Sequence, residues 1–87
     1  MRFKDFEIRP VKLLDGVIDP KRFELVKWYE PGRCYVVAWL EWNSKEPCWE
    51  LQSVGLRLMR DWVDGLDKWI LAWCEMATVC MEEDEDE

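Results

Sequence analysis

The chain has 87 residues, seven tryptophans, no histidine and a formal net charge of −7. A chain this short is one domain that buries only roughly 60% of its extended surface, so part of a heavy aromatic load has to stay outside. No stretch approaches the roughly 18–20 apolar residues of a membrane span, and the sign of the charge disfavours direct binding to a phosphate backbone. The opening MRFKDFEIRP carries no apolar leader, and a soluble cytoplasmic protein is expected.

The imbalance of charge is local. Residues 1–33 sum to +2, residues 34–81 to −3 and residues 82–87 to −6, so the folded part is close to neutral and the excess sits in EEDEDE.

Phe3, Phe6 and Ile8 alternate with charges and predict a first strand ending near Pro10, which has no N–H to pair. Asp15-Gly16, between short apolar runs, predicts a tight hairpin turn. A second hairpin is predicted at Pro31-Gly32, between FELVKWYE and RCYVVAWLEW. There proline presets the first turn angle and glycine supplies the second.

Residues 43–47, NSKEP, read as a loop, and CWELQSVGLRL as the returning strand. Simple alternation puts Val36, Ala38, Leu40 and Trp42 on one face and Tyr35, Val37, Trp39 and Glu41 on the other. Pairing Trp42 with Trp49 sets Leu40 against Leu51 and Ala38 against Ser53, and gathers the larger apolar groups on one side. That register places Glu41 beside Glu50, so either the register is wrong or that face meets a partner.

From Asp61 onward Trp62, Leu66, Trp69, Ile70, Trp73, Met76, Ala77 and Cys80 recur at helical spacing and predict an amphipathic helix whose aromatic stripe is core. Asp61 is the expected N-cap, with a start near 62, or at Asp64 if Gly65 weakens the first turn. No basic residue follows Lys68, and the acids after 81 oppose the helix dipole. The expected organisation is one α+β domain over residues 1–81, followed by a disordered acidic tail over 82–87. Its architecture is an antiparallel sheet of four to five strands, a meander of hairpins, with one C-terminal amphipathic helix packed on one face.

Catalytic chemistry finds little support, since histidine is absent and no nucleophile has a base of suitable type. Glycine occurs only at 16, 32, 55 and 65, which leaves no phosphate-cradling loop. Cys34, Cys48, Cys74 and Cys80 are too widely spaced for the local chelate that zinc uses, and reduced thiols are expected. No metal and no cofactor is implied.

At FELVKW, YVVAWLEW and WELQSVGLR the sequence resembles short uncharacterised proteins of phages and prophages of Gram-positive bacteria, over roughly residues 3–57. The resemblance implies no activity or site; it implies a small protein that acts on host components inside the bacterial cell.

The reading that follows is a non-enzymatic protein-binding module, a phage-encoded modulator or inhibitor of a host protein acting by occlusion. One helix of about 10 Å diameter cannot cover both faces of a sheet this wide. Tyr35, Val37, Trp39, Glu41, Glu50 and Gln52 are therefore the expected partner-binding residues, and a homodimer through that face is expected where no other partner is present. The acidic tail, Glu82, Glu83, Asp84, Glu85, Asp86 and Glu87, serves as a solubilising segment, as a mimic of nucleic-acid phosphates toward a basic groove, or as a weak site for divalent cations. The alternative from another class is a small-molecule-binding or sequestering protein with a tryptophan-lined pocket at a dimer interface. A third is a structural assembly component.

Overall fold

The computed structural model describes the backbone of residues 2–53 and 56–85, and side chains within 2–52 and 58–81. Five strands form one antiparallel meander in the order β1-β2-β3-β4-β5: β1 Arg2–Phe3, β2 Phe6–Lys12, β3 Ile18–Glu30, β4 Arg33–Asn43 and β5 Cys48–Ser53. Two helices follow, α1 Leu56–Arg60 and α2 Leu66–Glu85. The α+β meander with a C-terminal helix is as the sequence predicts, with two additions: the short β1 and the single-turn α1.

The turns sit where their residues demand. Glu30 pairs with Arg33 across Pro31-Gly32, and Gly32 has φ +82°, a left-handed value that costs a Cβ-bearing residue steric strain. At the other end of β3, Leu13 N–H donates to the Val17 carbonyl at 2.8 Å and Gly16 N–H to the Leu13 carbonyl at 2.9 Å. Pro10 lies within β2 rather than at its end. It is tolerated because β1 covers only Phe6 and Glu7 of β2, and because the pairing with β3 shifts between Pro10 and Val11.

The β4–β5 register is the one that apolar matching predicts: Trp42 opposite Trp49, Leu40 opposite Leu51, Ala38 opposite Ser53 and Glu41 opposite Glu50. The β3–β4 ladder differs from simple alternation. Leu25 pairs with Ala38 but the next residue, Val26, pairs with Val36, which leaves Val37 as the extra residue of a β-bulge. Such a bulge lets two successive side chains point the same way. Val37 and Ala38 are accordingly both fully buried, and the face of β4 changes at this point.

The core lies between the sheet and the helices. Phe6 and Ile8 from β2, Leu25 from β3, Val37, Ala38 and Leu40 from β4, Leu58 from α1 and Leu66, Ile70 and Trp73 from α2 form one buried cluster. Phe23, Trp42, Trp49 and Trp73 meet edge to face at centroid separations of 4.9–5.5 Å across three of their pairs. These rings weld α2 to one end of the sheet.

The helix starts later than the sequence predicts. Leu56–Arg60 already forms a turn of helix where the returning strand was expected to continue, and α2 begins only at Leu66, with Trp69 N–H donating to the Gly65 carbonyl at 3.0 Å. Gly65 has φ +88°, and a Cβ there would lie 3.2 Å from the ring of Phe3. Phe3 in turn stacks on Trp69 at 5.6 Å, so β1 is held by the start of α2. Of the expected core stripe, Leu66, Ile70 and Trp73 are buried, whereas Trp62, Met76 and Cys80 are exposed. The α2 backbone reaches Glu85; the side chains of residues 82–87, and with them the expected disorder of that tail, lie outside the described residues.

Candidate interaction surface

Alternation along β3 divides its residues cleanly. Phe23 and Leu25 turn to the core, while Arg22, Glu24, Val26 and Trp28 turn to the opposite, outer face, together with Glu7 and Arg9 of β2 and Val36, Trp39 and Glu41 of β4. Both helices contribute to the core cluster on the inner side; on the outer face Val26 is completely buried, whereas Trp28 and Trp39 are half-buried.

Charged and aromatic groups on this face hold one another. Arg9 Nε donates to Glu24 Oε1 at 2.5 Å. Trp28 Nε1 donates to Glu7 Oε1 at 3.1 Å, and the Arg2 guanidinium sits 5.1 Å from the centre of the Trp28 ring. The Arg22 guanidinium sits 5.5 Å from the centre of the Trp39 ring, with its Nε 3.3 Å from Glu41 Oε1, an ion pair without hydrogen-bond alignment. Asn43 Nδ2 donates to Glu50 Oε1 at 2.9 Å. The like-charged Glu41 and Glu50 are thus each offered a separate donor or cation, and their juxtaposition needs no external partner.

The inner side holds a different cluster at the α1–α2 junction. Tyr35 Oη donates to Asp61 Oδ2, and Lys27 Nζ and Arg60 Nε lie 3.4 and 3.3 Å from Asp61 Oδ1. The Tyr35 hydrogen bond first, and the Arg60 bond second, hold the Asp61 carboxyl down at about 2. Asp61, expected as an N-cap, instead ties the junction to the sheet.

The six expected binding residues therefore separate. Trp39, Glu41, Glu50 and Gln52 share the outer face, with Gln52 opposite Trp39 in the ladder. Tyr35 and Val37 do not belong to it, because the bulge turns both inward: Val37 is completely buried and Tyr35 packs against the core and holds Asp61. Val37, completely buried, has no surface to offer a partner, while Tyr35 is half-buried on the inner side. Arg22 and Trp28 belong to the surface and were not anticipated, although the alternation of Arg22, Glu24, Val26 and Trp28 with Phe23 and Leu25 carries the signal.

Burial pushes the Cys74 thiol up, and nearby Cys48 adds to the effect, which disfavours a reactive thiolate. Thr78 Oγ1 donates to the Cys74 carbonyl at 2.7 Å within its own helix. Among the described residues no group of three or more cysteine or carboxylate side chains is placed to hold a metal ion. Three open clefts of about 700, 540 and 420 Å³ lie along the sheet margins, and Trp39, Trp42 and Trp49 line none of these three. The indole N–H groups of Trp42 and Trp49 are buried without a partner among the described residues. No described helix is long and apolar enough to cross a membrane.

No family model, curated protein or solved structure matches this chain.

Proposed function

We propose that the protein is a non-enzymatic binding module that engages another protein through the outer face of its sheet, with Trp39 as the central anchor and Glu41, Glu50, Gln52, Arg22 and Trp28 around it. The observation that carries this reading is an outer sheet face bearing two half-buried tryptophans, each braced by an arginine. Tryptophan and arginine dominate binding hot spots, and rings already fixed in position lose little freedom when a partner docks. The mixed charges around Trp39 supply a polar rim that sets orientation. Together with the resemblance to phage proteins, this favours a modulator or inhibitor that works by occluding a surface of a host protein.

Immobilised protein exposed to bacterial lysate should retain a partner that unlabelled protein displaces. Trp39→Ala should lose this partner and Lys45→Ala, in the exposed β4–β5 loop, should keep it. A partner that both variants hold equally well places the binding surface elsewhere.

A further inference from the structure

Helix α2 carries a second apolar stripe beside the one that faces the sheet. Leu66, Ile70 and Trp73 are buried and Ala77 is partly buried against them. Ala72, Met76 and Val79, spaced by four and three residues, are all exposed and lie about 120° round the helix from the first stripe at 100° per residue. Lys68 and Glu75, also exposed, border this second stripe on one flank, two turns apart.

We infer that the second stripe is the contact with a second copy of this chain, the two α2 helices crossing antiparallel about a twofold axis at Ala72. A self-complementary contact is the form in which one surface meets its own copy. The charges choose the direction. With the axis at Ala72, each Lys68 lies beside Glu75 of the partner subunit, giving two reciprocal ion pairs. A parallel pair about a twofold along the helices would put the Lys68 and Glu75 flanks of the two copies on opposite sides of the seam, without either ion pair. Ala72 at the axis allows the close approach that interdigitated helices need, about 8–10 Å between axes, and Met76 fills the space on either side. The contact lies on the helix side of the molecule and leaves the outer sheet face open.

Sedimentation equilibrium on the full chain tests the charges. The parent should dimerise with a Kd in the range of about 1–100 µM, suited to a small helix pair. Lys68→Glu and Glu75→Lys should each raise that Kd about tenfold, and the double exchange should return it to within about threefold of the parent. Unchanged single variants, or a parent that is monomeric at several hundred µM, would overturn the inference. Direction is read separately by oxidative crosslinking. Ala72→Cys should form an intermolecular disulfide, whereas native Cys80, about 24 Å along the axis from its counterpart, should not. A disulfide joining two copies of Cys80 would sink the antiparallel arrangement.

Discussion

The two faces of this sheet are built from the same strands but do different work. The inner face matches apolar side chains against α1 and α2, and its largest fully buried members, Phe6, Leu25 and Leu40, are at most 1% exposed. Along the outer face, tryptophans alternate with salt-bridged arginines and glutamates, and its order comes from side chains bracing one another. Removing apolar volume inside leaves a cavity, which costs far more than removing a partly solvated ring outside. Tryptophan number along the chain is therefore a poor guide to importance for folding; position relative to the Val37 bulge is a better one.

The sharpest break of that contrast is a pair of inner truncations. Leu25→Ala and Trp42→Ala should each cost about 3–5 kcal/mol, comparable with the whole stability of a small domain, and urea melts should show both variants largely unfolded. If Trp42→Ala melts like the parent, the inner face is not the core.

Next in size is Asp61→Asn, which weakens the tie between Tyr35, Lys27 and the α1–α2 junction. Because the Asp61 carboxyl is held at about 2 in the folded protein against an ordinary 3.8, its contribution is fully present above the unfolded value and is lost as the pH falls through the folded one. Urea midpoints should therefore separate parent and variant at pH 7 and converge toward pH 2. A separation that is constant over that range would show that the charge of Asp61 does not stabilise the fold.

Trp39→Ala sharpens the comparison from the other side. Its melt should shift by about 1 kcal/mol or less, while binding to the captured partner weakens by about 2 kcal/mol or more. The smallest effect belongs to Arg22→Ala. Its exposed ion pair with Glu41 and its stacking on Trp39 should together contribute about 1 kcal/mol or less, a difference that added salt reduces.

What the sequence made legible follows from what kind of signal each region carries. The β4–β5 register could be read because a slip of one residue would turn Trp49 and Leu51 from the inner to the outer side. The Val37 bulge could not, since Val36, Val37 and Ala38 are all small and apolar and nothing local marks one of them as extra. The bulge is also what removed Tyr35 and Val37 from the expected binding set. The helix start was misplaced because Asp61 has the chemistry of an N-cap; its carboxylate is taken instead by Tyr35 from a distant strand, a tertiary contact that no local pattern encodes. Met76 and Cys80 fit the helical period but are exposed, because the period gives the width of an apolar stripe and not how much of it the sheet covers.

The contact of Phe3 with Gly65 and Trp69 also bears on the order in which the chain is put together. Phe3 is made more than 60 residues ahead of the glycine it leans against and the ring it stacks on. The β1–β2, β2–β3 and β3–β4 pairings bring sequence neighbours together and form without that delay, whereas the Phe3 ring has nothing to stack on until α2 arrives. Docking of the Phe3 ring against α2 is thus a late step of assembly. Replacing Gly65 with a bulkier residue would disturb that closing step while the hairpins form as before.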